Sequence, residues 1–192
     1  MKINIIKYIL YLFLLSTICL AIEPKVNSFE VSTDRKDIVP GEYIKINIDI
    51  DIAPGSYIYS TDSGKSLTPT RLIWPDSTIF IDSSFFFEPI PKVKFDESLD
   101  MDVSYHEGKI SLYQYFLTSK SLNTNEIKGK LFYQVCHSIQ CLRRYEDFYF
   151  DIDILDNDIR DEFSTIPVDN NLENSSNSSL QDAIDSGLIS FM

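Results

Sequence analysis

Two cysteines near the end of the chain are the residues whose type and spacing most clearly suggest chemistry. Cys136 ends an apolar stretch, and Cys141 follows five positions later. Cysteines that flank a tight turn face each other across a β-hairpin, where antiparallel neighbours supply the Cα separation of about 5.5 Å that suits a disulfide. The spacing therefore predicts a bond between Cys136 and Cys141.

A disulfide of this kind either stabilises the fold or takes part in redox chemistry. In the chain-entropy model, a ring this small contributes only about 2 kcal/mol of stability. The hairpin ladder already closes the ring, and the bond joins no distant parts of the chain. These points favour redox chemistry, but inert small-ring disulfides also exist, so the spacing alone leaves both interpretations open.

Basic residues adjoin both cysteines. His137 follows Cys136, and Arg143 and Arg144 follow Cys141. Positive charge favours the thiolate, which is the attacking species in thiol–disulfide exchange. The alternative is that the arginines only occupy a solvated strand end, and for Arg144 this alternative is favoured.

A metal site is a third interpretation of this part of the sequence. A Cys2His2 set would consist of Cys136, Cys141, His137 and His106. The paired C-x2-C spacing of such sites is absent, and adjacent strand residues point to opposite faces of a sheet. A metal centre is therefore disfavoured, and we expect no cofactor besides the disulfide.

The first residues are typical of a secretory signal peptide. Residues 1–21 carry Lys2 and Lys7 at their start, continue with an unbroken apolar run over residues 8–15 and end at the small Ala21. The run is too short for a comfortable membrane span. A lipid anchor at Cys19 is disfavoured because bulky Ile18 precedes it. We therefore expect an exported, periplasmic chain whose remaining pair of cysteines meets an oxidising compartment.

Composition limits the class of protein. With 44% hydrophobic and 13% aromatic residues in 192 positions, the chain can bury the core of one domain, which argues against wholesale disorder. The net charge of −12 repels phosphate backbones, so nucleic acid is not an expected partner.

Alternating apolar and polar residues predict β-strands. Tyr43–Ile52 places five isoleucines on one face, and residues 145–155 place Phe148, Phe150, Ile152 and Ile154 on one face. Residues 92–104 are acidic and irregular. No helical period occurs before residue 156, so the sequence predicts an all-β sandwich rather than a βαβ fold. Further short strands are predicted at residues 26–31, 57–60, 69–75, 109–118 and 128–135.

The chain changes character after the last predicted strand. Residues 156–179 are acidic and rich in Asn and Ser, which predicts a flexible linker after a domain over residues 22–155. Apolar residues return over 180–192, where Ser179 and Asp182 would form a capping box. This segment is either a short amphipathic helix docked on the domain or the start of a membrane helix.

The segment around the first cysteine resembles a known family. Residues 129–136 follow the pattern G-x-L-x-Y-Q-x-C, and a short loop leads to Cys141. This pattern is similar to that of the N-terminal periplasmic domain of the DsbD family of thiol:disulfide interchange proteins. The family has prolines soon after its second cysteine, where this chain has Arg143 and Arg144.

Other segments resemble the same domain in the same order. They are an aromatic strand at residues 55–59, a P-T-x-L-x-W-P segment at residues 69–75, and residues 105–109, which fall where the family has a loop over the cysteine pair. The resemblance thus extends from about residue 28 to about residue 155.

The resemblance implies an immunoglobulin-like β-sandwich and a protein-disulfide reductase that carries electrons through the Cys136–Cys141 couple. Cys141 would attack the partner disulfide and Cys136 would resolve the product. The donor would be a thioredoxin-like protein or domain, and the acceptors a disulfide isomerase or cytochrome c maturation factors. Tyr105, His106 and Glu107 would belong to the cap loop. A membrane module would follow the last residue and tether the domain to the inner membrane.

Two other functions fit the same sequence. One is an immunoglobulin-like binding or adhesion module with a structural disulfide, in which Tyr57, Tyr59 and Tyr105 form an exposed contact surface. The other is a passive spacer in a membrane-tethered assembly factor. The position of the cysteines separates these functions: a structural bond should join the two sheets, whereas a redox pair should lie accessible at one end under a loop.

Overall fold

The computed structural model describes residues 23–62, 68–97, 99–137 and 140–167, and in these ranges the chain forms β-strands and one short 3-10 helix at Asp161–Phe163. The predicted all-β class is confirmed. The strands are β1 (Val26–Thr33), β2 (Asp37–Ile38), β3 (Tyr43–Ile52), β4 (Tyr57–Tyr59), β5 (Arg71–Ile73), β6 (Phe80–Ser83), β7 (Lys92–Asp96), β8 (Met101–His106), β9 (Lys109–Thr118), β10 (Glu126–His137), β11 (Gln140–Asp151) and β12 (Asp153–Ile154).

Two sheets pack face to face as an immunoglobulin-like sandwich. One has the order β1-β3-β9-β6, and the other has the order β11-β10-β4-β8-β7, with β5 paired to β10. A small parallel pair, β12 and β2, lies beside them. One buried cluster contains residues of β3 and β9 from the first sheet and of β4, β10 and β11 from the second, so the core lies between the sheets.

Period-two alternation explains the core-facing strands. In β3 the five isoleucines are at most 2% exposed, while the residues between them are half-buried or exposed. β9 pairs with β3 in antiparallel register and alternates in the same way. The predicted bounds of both strands are confirmed because each buries one face and leaves the other in solvent.

Gly129 has a packing role in the middle of β10. A Cβ at this position would run into the rings of Phe148 and Trp74. Trp74 in turn makes edge contacts with Phe80, Phe116 and Phe148. Aromatic rings therefore fill the space that the missing side chain leaves.

The prediction that residues 92–104 are irregular is wrong. This stretch contains β7 and most of β8, which pair as an antiparallel hairpin. β7 is the edge strand of its sheet and leaves Val93 and Phe95 more than half exposed. The apolar residues of β7 alternate with charged ones, but the apolar positions are the exposed ones, so the alternation marks no core face. Strand β6 was also not predicted.

The first part of the predicted linker contacts the sandwich. The carboxylate of Glu42, which is fully buried, accepts hydrogen bonds from Nε and Nη2 of Arg160 at 2.8 and 2.7 Å and from the Arg160 backbone amide at 3.0 Å. Arg35 pairs with the same carboxylate at 3.3 Å. Both guanidinium groups lie over the ring of Phe163. We call this group the Glu42 clamp.

The proposed division into domains stays a prediction. The predicted signal peptide, the end of the linker from residue 168 and the apolar segment at residues 180–192 lie outside the described residues. Within the described ranges, no helix has the length and apolar character that crossing a membrane requires.

The Glu42 clamp makes the stability of the fold depend on pH in the acid range. Burial alone would raise the pKa of Glu42, but hydrogen bonds from Arg160 and from the amide of Val39 outweigh it and lower the pKa from 4.5 to about 2. A carboxylate with a lowered pKa in the folded state stabilises the fold fully above its unfolded-state pKa. This contribution is lost as the pH falls from 4.5 to about 2.

We therefore expect Glu42→Gln to lower the free energy of unfolding at neutral pH by about 3 kcal/mol, because two arginines lose their buried charged partner. As the pH falls from 4.5 to about 2, the free energy of unfolding of the wild type should decrease by about 3 kcal/mol more than that of the variant. Urea unfolding across this range measures both quantities. Glu126→Gln, at a half-buried acid paired with Lys128, is the control. If the free energies of unfolding of wild type and Glu42→Gln changed in parallel with pH, the proposed stabilising role of the Glu42 clamp would be wrong.

Candidate redox site

The two cysteines form the predicted disulfide. Cys136 and Cys141 are direct partners in the β10–β11 ladder, with a Cα separation of 4.1 Å. This distance is close to the value of about 4.5 Å for the narrower pairs of an antiparallel ladder. The bond therefore closes one hairpin within one sheet and does not join the two sheets.

The two sulfur-bearing residues differ in exposure. Cys136 is fully buried, whereas Cys141 is exposed. Along β10, Val135 faces the core between the sheets, so Cys136 faces the opposite, outer side of its sheet. Cys141 lies on the same outer side but on β11, which no further strand of the described residues flanks.

A small apolar cluster covers Cys136. It contains Tyr57, Tyr59 and Val103 together with Cys136, and Leu99, Met101 and Tyr105 pack against it. We call this group the tyrosine cluster. β4 places Tyr57 directly opposite Cys136, and the β7–β8 hairpin supplies the rest of the cover. Most of these residues had not been assigned to the site, because they come from strands that are distant in sequence.

The rings of the tyrosine cluster contact one another edge to face. The centroid of Tyr57 lies 5.2 Å from that of Tyr105 and 6.0 Å from that of Tyr59. The ammonium of Lys94 lies 3.5 Å from the Tyr57 centroid and 5.1 Å from that of Tyr105. A cation over two rings holds β7 against the cluster.

Tyr57 and Tyr59 are neutral at ordinary pH. Burial, with a further contribution from Asp96, raises the pKa of Tyr57. Burial, with further contributions from Tyr57 and Asp96, raises the pKa of Tyr59 to about 12. Cys136 therefore lies in a neutral, apolar pocket, and such surroundings disfavour a thiolate.

The three predicted cap residues have different positions. Tyr105 and His106 end strand β8, so the prediction of a loop is wrong for both, while Glu107 lies in the turn that follows. Tyr105 contacts the tyrosine cluster. Glu107 is exposed and pairs with Lys92 at 2.6 Å. The cover over Cys136 is thus the β7–β8 hairpin rather than a loop after β8.

His106 anchors the end of β8 from the other side of the sheet. Its Nε2 lies 2.9 Å from Glu88, whose carboxylate also accepts hydrogen bonds from the Ser60 hydroxyl at 2.7 Å and the Thr61 amide at 3.0 Å. Burial would raise the pKa of Glu88, but these hydrogen bonds outweigh it and lower the pKa. Glu88 had no sequence signal, since only the fold brings it to His106.

His137 and Gln134 position the strand that carries Cys136. Nδ1 of His137 lies 2.6 Å from the Gly55 carbonyl oxygen, which ties β10 to the turn before β4. Gly55 has φ +78° in this turn, a conformation that glycine adopts without strain. Gln134 donates a weak hydrogen bond of 3.8 Å to Sγ of Cys136 and accepts one of 2.7 Å from Thr68.

The two arginines after Cys141 point to opposite faces of the sheet. Arg144 is the ladder partner of core-facing Tyr133 and pairs with Glu23 at 3.0 Å. Arg143 is exposed on the outer face, opposite Gln134. It has no ion pair with a carboxylate of the described residues. Only Arg143 therefore adds unpaired positive charge on the Cys141 side.

The Cys2His2 set considered from the sequence does not come together. The cysteines are bonded to each other, while His137 contacts Gly55 and His106 contacts Glu88. Across the described part of the chain, no three His, Cys, Asp or Glu side chains gather in a way that could hold a metal ion.

No protein-family model matches the chain, and no curated protein matches it. Among solved structures, it is similar to the N-terminal periplasmic domain of ScsB from Proteus mirabilis, with 15% identity, a TM-score of 0.48 and coverage of 80% of this chain and 52% of the other. It is also similar to the reduced N-terminal domain of DsbD from Neisseria meningitidis, with 20% identity, a TM-score of 0.37 and coverage of 65% and 83%.

A third similar chain belongs to the complex between the DsbD and PilB N-terminal domains of Neisseria meningitidis, with 17% identity, a TM-score of 0.40 and coverage of 69% and 87%. The chain therefore spans about half of the ScsB chain and most of the other two. Two of these three similar structures contain the N-terminal domain of DsbD, the family whose sequence pattern residues 129–141 resemble. Identities of 15–20% assign no role to individual residues.

We expect the tyrosine cluster to protect Cys136 in the reduced protein. Iodoacetamide should alkylate exposed Cys141 at least about tenfold faster than Cys136, because the reagent needs an accessible thiolate. Tyr105→Ala should raise the Cys136 rate severalfold, while Tyr105→Phe, which keeps the ring, should not. Mass spectrometry of peptides after timed alkylation measures each rate.

Tyr149→Ala is the matched control, since Tyr149 is 69% exposed on β11, outside the tyrosine cluster. A Cys136 rate that is the same in wild type and Tyr105→Ala would show that Tyr105 does not shield the pair.

Proposed function

We propose that the chain is an exported thiol–disulfide exchange domain that passes reducing equivalents to partner proteins through Cys136 and Cys141. The observation that carries this proposal is the unequal pair: one disulfide within a single hairpin, with Cys141 exposed and Cys136 buried under the tyrosine cluster. A bond that joins neighbouring positions of a ladder adds little to the fold, and its accessible sulfur lets a partner reach it.

The proposed reaction moves two electrons from this chain to a partner. In the reduced chain, the Cys141 thiolate attacks one sulfur of the partner disulfide, forms a mixed disulfide and releases the partner's other sulfur as a thiolate. The Cys136 thiolate then attacks Sγ of Cys141 and releases the second partner thiolate. This chain is oxidised to the disulfide, the partner is reduced to a dithiol, and the two protons of the original thiols pass to the partner.

Exposure and charge support this order of attack. Cys141 is the accessible residue, and Arg143 lies two positions along the same strand face, where its charge favours a thiolate. Cys136 is inaccessible to a partner but is the direct ladder partner of Cys141. A buried resolving cysteine reacts only when the mixed disulfide has already formed beside it, which suits the second step.

The partners follow from the same proposal. A thioredoxin-like dithiol protein or domain would reduce the pair, and periplasmic disulfide proteins, such as a disulfide isomerase or cytochrome c maturation factors, would accept the electrons. The signal-like residues 1–21 support export to the periplasm. The chemistry needs no cofactor besides the disulfide, and a following membrane module would tether the domain to the inner membrane.

The contact surface expected for an adhesion module is not available. Tyr57 and Tyr59, which were expected to be exposed, are 7% and 4% exposed because they pack on Cys136. The disulfide also fails to join the two sheets, as a structural staple of the sandwich would. Both observations favour the redox function.

The first test is the reduction potential of the pair in the mature chain. Equilibration with glutathione buffers, followed by alkylation of free thiols, should give a value above about −300 mV, within the range of redox-active proteins. A value well below this range would mean a structural disulfide and would favour the binding-module function.

Cysteine variants test whether the bond supports the fold. Cys136→Ser and Cys141→Ser should each lower the free energy of unfolding by no more than about 2 kcal/mol, since the ring is small and the ladder remains. Both should abolish electron transfer to a disulfide-containing acceptor. Urea unfolding and acceptor reduction by the pre-reduced chain measure the two effects. Loss of folding in either variant would show that the disulfide is structural.

A further inference from the structure

The outer face of the β10–β11 hairpin carries unpaired positive charge beside the exposed cysteine. Arg143 lies two residues after Cys141 on the same face, about 7 Å along the strand. It is exposed and has no ion pair within the described residues. This charge stands out on a chain whose net charge is −12.

A second cation extends this basic surface across the sheet. Arg71 on β5 is the ladder partner of Phe132, and its guanidinium lies 4.2 Å from the centroid of that ring. Phe132 shares the outer face with Cys136, because both are even-numbered residues of β10. Tyr145, which is 56% exposed, lies opposite Phe132 on β11. We call Arg143, Arg71 and Tyr145 the basic-aromatic surface; Arg71 and Tyr145 pack on the buried ring of Phe132.

Among the described residues, the carboxylates of this sheet face lie away from Cys141. Asp147, the next outer-face position of β11 after Tyr145, is paired with Lys130 at 2.7 Å. It lies about 20 Å along the strand from Cys141. Asp96 acts on the tyrosine cluster from β7, on the other side of Cys136 from Arg143. The described groups nearest to Cys141 on its own strand face are therefore a cation and an aromatic ring.

We propose that the basic-aromatic surface docks a partner protein that carries a carboxylate beside its redox-active disulfide. This inference rests on the proposed exchange function and names the chemistry of its partner. An acidic partner is repelled by most of this chain and attracted at the one face that presents Cys141, so charge orients the encounter. The exposed ring of Tyr145 provides apolar contact once the partner is docked.

The chain offers a matched control for this proposal. Arg143 and Arg144 are adjacent and carry the same charge, but Arg144 lies on the opposite face and pairs with Glu23. A long-range effect of net charge would be equal for both residues. An effect of docking beside Cys141 belongs to Arg143 alone.

The test measures the rate at which the reduced chain attacks two small aromatic disulfides, the dianionic dithiobis(nitrobenzoate) and the neutral dithiodipyridine. The ratio of the two rates cancels changes in thiolate content. Arg143→Gln should lower the anionic-to-neutral ratio about threefold and Arg143→Glu about tenfold, as expected for one and two unit charges about 7 Å away in water. High salt should remove both effects.

Arg144→Gln should leave the ratio unchanged. Peptide disulfides with glutamate or glutamine next to the cysteine give the same anionic-to-neutral rate comparison for a protein-like partner. The rate with the glutamate peptide should fall in Arg143→Gln but not in Arg144→Gln. Equal effects of Arg143→Gln and Arg144→Gln on the anionic-to-neutral rate ratio would overturn the proposal that this surface docks the partner.

The reduction potential separates failure of this inference from failure of the exchange function. A potential in the redox-active range, with no specific effect of Arg143, would overturn the docking surface alone. A potential in the structural range would remove the exchange function and its partner together, whatever Arg143 does to the rate ratio.

Discussion

β10 hydrogen-bonds to three other strands, and its register determines which residues reach the core and which reach the redox site. Its odd-numbered residues, such as Tyr133 and Val135, enter the core between the sheets, so Cys136 faces outward. A slip of one residue would exchange these faces, and the cost of exposing the core residues excludes it. The same register sets Cys141 opposite Cys136 and Tyr57 on its other side.

The unequal exposure of the two cysteines follows from their places in the sheet. Cys141 is on the edge strand β11, and an edge strand has one open side. Cys136 is on the next strand inward, where β4 flanks it and the β7–β8 hairpin folds over it. Tyr57 and Tyr59 are neutral, and Lys94 lies over the Tyr57 ring, so the pocket around Cys136 buries no unpaired charge.

The Glu42 clamp and the disulfide lie near opposite ends of β3. Glu42 precedes the first residue of this strand, and the Glu42 clamp ties residues 156–167 to that end. The turn after its last residue holds Gly55, which contacts His137 beside the disulfide. The disulfide takes part neither in the two core clusters between the sheets nor in the Glu42 clamp.

The sequence by itself determined the β-class, the bounds of β3 and β9 and the pairing of Cys136 with Cys141, because period-two burial and short loops are local properties. It did not indicate the β7–β8 hairpin, since the apolar residues of the edge strand β7 are exposed and mark no core face. The cover over Cys136 and the pairing of Glu88 with His106 were decided by tertiary structure. Both depend on residues that are distant along the chain and meet only when the sheet forms.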